Sequence, residues 1–212
     1  MVKLLVAKVL RSHWKLSDTY SIIKSLIFYP KYVFISNSIR RLGKGKITAE
    51  SPFFYGIASN KLGLDMKAFG ILEIAKGAHL EIGKNVRIAR GCKLHINNYL
   101  FIGDNTYVQP NALILANTKS FIGTDGAIGW NFQMLDDDLH QILEEGNIKR
   151  GPEPINIGSH VWIGSNVTIL KGISIGNNSI IATGSVVTKS VPENVLVAGN
   201  PAKVIKTEIN WS

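Results

Sequence analysis

Hydrophobic positions in this chain recur at a fixed interval along most of its length. An aliphatic residue followed by glycine recurs at a constant step, at Leu42, Leu62, Ile82, Ile102 and Ile122. Within the later steps the apolar positions recur at every sixth place. After an interruption the sixfold interval resumes without error at Ile157, Ile163, Ile169, Ile175, Ile181 and Val187. Self-similarity at such a period indicates a repeat architecture.

Six positions per side and three sides per turn predict a triangular parallel β-solenoid, so the fold class is all-β. Every sixth residue is expected to point inward and to stack on its equivalent one coil away. The first two steps keep the pattern only loosely, with inward places at Leu42, Thr48, Phe54, Leu62, Ala68 and Ile74. Six coils spaced by about 4.8 Å predict a prism roughly 30 Å long.

The composition is that of one folded domain with an appendage. The chain has 212 residues, of which 45% are hydrophobic and 18% charged, and this excludes a disordered chain. A single cysteine, Cys92, excludes a disulfide framework. Of the net charge of +9, residues 1–41 carry +7 and the rest carry +2. We therefore predict a short, mostly helical, basic segment 1–41, a solenoid 42–192 and a C-terminal tail 193–212.

The basic segment bears on where the protein works. No stretch reaches the roughly 18 apolar residues of a membrane span, and no secretory cleavage pattern follows Met1, so a cytoplasmic protein is predicted. With Trp14, Tyr20 and Phe28 among its lysines and arginines, the segment either caps the solenoid or lies peripherally on the inner face of an anionic membrane. Nucleic acid is not an expected partner, because no nucleic-acid-binding motif accompanies the charge.

The interruption after Met134 contains the sharpest candidate for chemistry. It predicts a loop over about residues 136–156, and long loops on rigid scaffolds often carry function. The loop begins with Asp136-Asp-Asp138-Leu-His140. An imidazole with a pKa near ~6.5 can take a proton from an acceptor at neutral pH, and Asp136 or Asp138 could hold it in one tautomer. The alternative is a solvated acidic loop with an incidental histidine.

A second group of candidates follows the loop. Trp162 precedes an inward position on a strand, so its ring is predicted to point outward. There it would be a stacking platform for a sugar or part of a cofactor, or a residue buried between subunits. Thr188, Lys189 and Lys203 lie at the predicted end of the prism and suit phosphate groups, although isolated lysines are usually solvated.

From Ile128 to Lys206 these motifs resemble the left-handed β-helix, or hexapeptide-repeat, acyltransferases, and in particular bacterial polysaccharide sugar O-acetyltransferases. The segment Trp130 to His140 is similar to the D-x-D-x-H segment of the sugar O-acetyltransferases. The resemblance implies a left-handed coil, which departs from the usual right-handed crossover. It also implies a homotrimer with acetyl-CoA in a groove between adjacent prisms and no metal.

The resemblance also implies roles for single residues. His140 would be the general base, assisted by Asp138 or Asp136. Ser165 and Thr183 would lie along the pantetheine arm, and Thr188 and Lys189 would reach the adenosine phosphates. The full set of candidates is His140, Asp138 and Asp136 for catalysis, Ser165, Thr183, Thr188, Lys189 and Lys203 for acetyl-CoA, and Trp162 and Asn131 for the acceptor.

The predicted function is acetyl transfer from acetyl-CoA to a saccharide hydroxyl, for example on a lipid-linked glycan used for capsule or O-antigen. Gln141 stands where proline commonly follows the histidine, which leaves the acceptor geometry open. Three alternatives stay open: N-acetylation of an amino sugar, a metal-dependent carbonic anhydrase with three histidines on zinc, and a non-catalytic scaffold.

Overall fold

The protein is described by a computed structural model that covers residues 20–21, 23–25, 33–36, 39–56, 69–141, 143–148 and 151–212. Most of these residues lie in strands or in the turns between them, and residues 20–21 and 23–25 are helical. The predicted mostly helical segment 1–41 is wrong for residues 33–35 and 39–41, which form strands that pair with the solenoid, while its other residues, apart from this helical part and residue 36, lie outside the described residues. Three sheets, called A, B and C, wrap a single apolar core.

Successive strands are added to the three sheets in turn. Sheet A contains, in spatial order, β1 (Val33–Ile35), β4 (Phe53–Tyr55), β7 (Arg87–Ile88), β10 (Tyr107–Val108), β13 (Ala127–Ile128), β18 (Trp162–Ile163), β21 (Ile180–Ile181), β23 (Val195–Gly199) and β24 (Ala202–Thr207). Sheet B contains β2 (Ile39–Leu42), β5 (Gly70–Ile74), β8 (Lys93–Ile96), β11 (Leu113–Ala116), β14 (Gln133–Leu135), β19 (Thr168–Leu170) and β22 (Val186–Val187). Sheet C contains β3 (Lys46–Ala49), β6 (His79–Ile82), β9 (Tyr99–Ile102), β12 (Lys119–Ile122), β17 (Asn156–Ile157) and β20 (Ser174–Ile175).

Neighbouring strands are parallel in all three sheets except for β23 and β24, which are antiparallel. The register follows the predicted repeat: Ile102 pairs with Ile122 before the interruption, and Ile163 pairs with Ile181 after it. Their side chains are buried. The predicted all-β parallel solenoid is therefore confirmed, whereas the handedness of the coil stays a prediction.

The corners of the triangle depend on residues that tolerate a positive φ. At the CA corner, the turns between sheets C and A, this residue is Asn85, Asn105 or Asp125 in successive coils, with φ between 56 and 57°. The Asn85 side chain donates a hydrogen bond to Asn105, and Asn105 donates one to Asp125. Asparagine and aspartate adopt this conformation more readily than other non-glycine residues. The polar column therefore keeps the corners aligned from coil to coil.

The predicted register of the first coil is wrong, whereas Ile74 of the second is buried as predicted. Leu42, Thr48 and Phe54 were expected to point inward, but all three are only partly buried. The buried residues on these strands are Ile39, Ile47, Phe53 and Tyr55. The reason is the length of one coil: Lys46 pairs with His79, so this coil is longer than the constant step assumed from the sequence. The extra residues fall in 57–68, which lie outside the described residues, as do Leu62 and Ala68.

Strand pairing is also present on both sides of the range 42–192. Residues 33–35 pair in parallel with 53–55, and residues 39–42 pair with 70–73. At the other end, Leu196 and Val197 pair in parallel with Ile180 and Ile181. Among the described residues, no helix is both long and apolar enough to cross a membrane.

The packing of the core leads to a prediction about the stability of variants in β8. Leu94 is fully buried, while its neighbour Lys93 points outward. Replacing Leu94 with alanine should lower the free energy of unfolding by about 2–5 kcal/mol, because it leaves a cavity in a packed core. Lys93→Ala is the matched control, with an expected change within about 0.5 kcal/mol. Urea denaturation followed by circular dichroism measures both, and equal stability of the two variants would contradict the inward stacking.

Candidate active site

The chain leaves the solenoid at the BC corner, the set of turns that join sheet B to sheet C. Gln133 pairs with Thr168 across this point, which is a much longer step than that from Leu113 to Gln133 before it or from Thr168 to Val186 after it. We call residues 136–155 the arm. Part of the arm is a small antiparallel hairpin, β15 (Leu143–Glu144) with β16 (Asn147–Ile148). The coils on either side stay in register.

Asp136 fixes the point at which the arm begins. Its carboxylate is fully buried and accepts hydrogen bonds from the main-chain N–H groups of Asn117 and Thr118, at 3.0 and 2.8 Å. The Thr118 hydroxyl also donates to it, and Ser120 donates at 3.4 Å. Both oxygens of Asp136 are thus engaged by the coil beneath the arm. This favours a structural role over contact with the His140 ring.

The next two aspartates attach the arm to the coils on both sides. Asp137 accepts a hydrogen bond from the Asn117 side chain at 2.6 Å and another from the main-chain N–H of Leu139 at 2.9 Å. Asp138 forms an ion pair with Lys171, with 2.5 Å between the carboxylate oxygen and Nζ. Lys171 follows β19 on the next coil and is largely buried. All three aspartates therefore anchor the chain just before His140.

His140 itself lies on the surface of the arm. Its ring is exposed, and within the described part of the chain it has no hydrogen bond to Asp136 or Asp138. Leu139 has a φ of 60° and a side chain that is 67% exposed. The imidazole is therefore available to an acceptor that approaches from outside this chain.

Ser165 and Thr183 come together at the AB corner, the turns that join sheet A to sheet B. They follow paired strands by the same number of positions, one coil apart. The Ser165 hydroxyl accepts a hydrogen bond from the Trp130 main-chain N–H at 3.3 Å, and the Ser165 carbonyl accepts one from Gly184 at 2.9 Å. A Cβ on Gly164 would lie 2.6 Å from the Thr183 nitrogen, so only glycine permits this approach. The corner offers two stacked hydroxyl groups.

Trp162 lies on the outer face of sheet A, and its side chain is 46% exposed. It belongs to an aromatic group to which the C-terminal tail contributes Trp211. The Trp211 ring stacks on His160 with centroids 4.3 Å apart and planes 5° apart, and it tilts against Trp162 at 6.2 Å. The indole N–H of Trp211 donates to the His160 carbonyl at 2.9 Å. Together the rings of His160, Trp162 and Trp211 form a partly exposed aromatic surface on sheet A.

The remaining candidates are spread over the solenoid. Asn131 is exposed at the AB corner and donates a hydrogen bond to Asn166 on the next coil. Thr188 and Lys189 are exposed immediately after β22, and Lys203 is exposed on β24. These three residues share the end of the prism but lie on different edges of it. In a single chain they form a loose polar rim and not a closed pocket.

The structure bears on two further questions, the reactivity of Cys92 and the presence of a metal site. Burial raises the pKa of the Cys92 thiol to about 12, so the thiol stays protonated at neutral pH and is a poor nucleophile. No group of three His, Cys, Asp or Glu residues that could hold a metal ion occurs in the part of the chain that the structure describes. The described candidates are thus an exposed imidazole on the arm, an aromatic group on sheet A and exposed lysines at the end of the prism.

Sequence reasoning did not single out Asp137, Lys171 or Trp211. The pattern D-x-D-x-H specifies the first and third aspartates of this run and leaves position 137 open, so it does not point to Asp137. Lys171 and Asp138 lie on either side of the hairpin of the arm, so the sequence pattern does not show that they pair. Trp211 was detectable only as an aromatic residue in a short polar tail, which does not say where it packs.

Comparison with known families and relatives gives a consistent result. The family model described as bacterial transferase hexapeptide (six repeats) matches residues 154–189. The galactoside O-acetyltransferase of Escherichia coli is 37% identical over 131 residues, which are 61% of this chain and 64% of that enzyme. The galactoside O-acetyltransferase of Lactococcus lactis is 32% identical over 145 residues, which are 66% of this chain and 69% of that enzyme.

Other similarities cover less of the relative or rest on structure. A Saccharomyces cerevisiae relative is 44% identical over 110 residues, and the chain spans only 55% of its length. A crystal structure of a polySia-specific acetyltransferase is similar with a TM-score of 0.57 and 26% sequence identity, over 84% of this chain and 88% of that one.

The buried carboxylate of Asp136 generates a prediction about stability. Asp136→Ala should lower the free energy of unfolding by roughly 1–3 kcal/mol, because the N–H groups of Asn117 and Thr118 lose their acceptor. Glu145→Ala removes an exposed carboxylate from the same arm and is the matched control, with an expected change within about 0.5 kcal/mol. Thermal and urea unfolding measure the difference. A stability unchanged by Asp136→Ala would show that the arm is not anchored in this way.

Proposed function

We propose that this chain, which belongs to the hexapeptide-repeat acetyltransferase family, transfers an acetyl group from acetyl-CoA to a hydroxyl group of a saccharide. That it is an acyltransferase follows from family membership. The acceptor class rests on its relatives, since the similar enzymes from E. coli and L. lactis are galactoside O-acetyltransferases. The similar crystal structure is of a polySia-specific enzyme. The observation that carries the proposal is an exposed histidine on an arm anchored to the solenoid.

In the proposed reaction His140 is the general base. Its imidazole removes the proton of the acceptor hydroxyl while the oxygen forms a bond to the acetyl carbonyl carbon. The C–S bond of the thioester then breaks, and the proton passes to the departing CoA thiolate. Asp138 would use its second carboxylate oxygen to orient the imidazole and steady the imidazolium. Asp136 would support His140 only indirectly, by holding the base of the arm.

Acetyl-CoA is the proposed donor, and the chain has groups that suit it. Ser165 and Thr183 present two stacked hydroxyl groups at the AB corner, which suit the amides of a pantetheine arm. Lys189 and Lys203 are exposed cations at the end of the prism, with Thr188 beside them, and they suit the CoA phosphates. Trp162 and Asn131 are proposed to contact the saccharide, and stacking on Trp162 and Trp211 is the physical basis.

A shared site between subunits would bring these groups together. In one chain the arm leaves the BC corner, whereas Ser165 and Thr183 lie at the AB corner on the far side of sheet B. A cyclic oligomer joins two different surfaces of each chain, so one subunit's arm could meet the next subunit's AB corner. We propose the homotrimer on this ground and on the resemblance noted from the sequence.

The outer faces of the solenoid support an oligomer. Sheet B carries outward leucines at Leu113, Leu135 and Leu170, which alternate with the inward core residues. Sheet C carries an outward cluster in which Tyr99 and Phe121 lie 5.6 Å apart between ring centroids. A closed ring needs two complementary patches on each subunit, and these two faces are apolar enough to provide them.

The working location is also proposed. We propose a cytoplasmic protein whose basic segment 1–41 either packs on the solenoid or touches the inner face of the membrane, where lipid-linked glycans would be available. The charge of this segment supports the idea. The boundaries 1–41, 42–192 and 193–212 stay predictions for the functional units.

The role of His140 can be tested by substitution. His140→Ala should reduce kcat for acetyl transfer by about 10² or more, because the acceptor hydroxyl loses its base. CoA release, measured with thiol reagents over a panel of galactosides, sialosides and amino sugars, gives the rate and the acceptor class. The affinity for CoA by calorimetry should be unchanged, since the ring does not bind the donor.

The control for this experiment is Glu145→Ala, which changes an exposed residue of the same arm that belongs neither to the proposed site nor to the outer faces of sheets B and C. Near-normal turnover by His140→Ala would remove the proposed mechanism. Activity restricted to amino sugars would favour N-acetylation instead, and absence of CoA binding by the wild-type protein would favour a scaffold.

The assembly has its own test. Size-exclusion chromatography with light scattering should give three times the 23.3 kDa of one chain. Leu170→Arg should shift the protein toward smaller species, because it places a charge on an apolar outer face. Arg87→Ala on sheet A, away from both of these outer faces, serves as the matched change of an exposed residue. A monomer that is fully active would contradict the shared site.

A further inference from the structure

The conformation of Leu139, directly before His140, requires an explanation. Its φ of 60° lies in the left-handed region, which a branched, non-glycine side chain adopts only at a cost. Packing of its side chain does not explain it, because that side chain is 67% exposed. An unusual backbone conformation persists only where its surroundings determine it, and such positions cluster at functional sites.

The main-chain N–H of Leu139 is bound by Asp137. One of its carboxylate oxygens accepts the main-chain N–H of Leu139 at 2.9 Å, which is the bond of an Asx turn. The other accepts the side-chain N–H of Asn117 at 2.6 Å. Asn117 in turn accepts a hydrogen bond from Asn97 at 2.6 Å. The turn at Leu139 is thereby connected to two successive coils of the solenoid.

The charge around Asp137 supports the same arrangement. The hydrogen bond from Leu139, the bond from Asn117 and the nearby Lys171 ammonium keep the pKa of Asp137 below its usual value. The carboxylate is therefore ionised at neutral pH and accepts both bonds at full strength. Lys171 also holds Asp138 by the ion pair described above. The segment 137–138 is thus attached to the coil before the arm through Asn117 and to the coil after it through Lys171.

We propose that Asp137 is a positioning residue for the reaction: it fixes the left-handed turn at Leu139 and so sets the direction in which His140 is presented. The inference rests on the proposed role of His140 as the base. Asp137 lies between the two predicted catalytic carboxylates. The role proposed for it is to position His140 and not to transfer a proton. Positioning of this kind matters because a misplacement of about 1 Å can cost roughly 10² in rate.

The test uses Asp137→Ala, Leu139→Asn and the double variant, with Glu145→Ala as the control for loss of an exposed arm carboxylate. Asp137→Ala should lower kcat by about 10- to 100-fold with the KM for acetyl-CoA changed less than about twofold. Asparagine adopts a positive φ more readily than leucine. The double variant should therefore recover to within about fivefold of Leu139→Asn alone. Glu145→Ala should behave as wild type.

Recovery in the double variant separates positioning from other roles, because an asparagine at 139 cannot replace a proton-transfer group at 137. Hydrogen exchange of the peptide that contains residues 137–141 gives a readout independent of activity: exchange should rise in Asp137→Ala and fall again in the double variant. Unchanged kcat in Asp137→Ala, or a loss that Leu139→Asn does not restore, would overturn the inference. If the wild-type protein transfers no acetyl group, the proposed function fails, and hydrogen exchange still decides whether Asp137 holds the turn.

Discussion

The structure depends on one constraint, which is that the same inward position must recur at the same place in every coil. Parallel strands in this solenoid pair residue for residue, and side chains alternate between the core and the outside. A shift of one residue would turn a whole strand inside out. Between the parallel strands of the described coils, the long insertion is accommodated at a corner, as the arm is at the BC corner. The chain can carry an irregular functional segment because the coils on each side of it remain in register.

The same constraint explains how the polar segment at the start of the arm acquires a fixed position. Three consecutive aspartates would normally repel one another and remain solvated. Here each has a different partner: main-chain N–H groups and hydroxyls for Asp136, an asparagine and the Leu139 N–H for Asp137, and a lysine for Asp138. Asn117 belongs to the coil before the arm, and Lys171 belongs to the coil after it. In the proposed mechanism the main role of the three aspartates is to hold the segment before His140 in place. Their part in proton transfer is secondary.

The fold could be predicted from sequence wherever the sixfold interval was unbroken, because stacking makes each inward position repeat the last. From Ile82 to Val187 the expected positions are buried. The inward positions predicted at Leu42, Thr48 and Phe54 were wrong, because the coil that leads from Lys46 to His79 is longer than the coils around it. A constant step does not hold across that coil. The site was only partly predictable for a related reason. A motif singles out His140 and Asp138 as candidates, but the partner of Asp138 depends on how an irregular arm returns to the scaffold, and the position of Trp211 depends on where the tail folds.

The final strand of sheet A has a consequence for the protein in solution. A stack of parallel strands ends in a row of unsatisfied N–H and C=O groups that could accept the first coil of another molecule and continue without limit. Here β24 runs in the opposite direction to β23, carries Lys203 and Lys206, and has an irregular register beside Val197. Reversed polarity, positive charge and broken pairing make a poor template for head-to-tail growth. At the end where the repeat stops, sheet A is therefore closed to the addition of a further parallel strand in the same register.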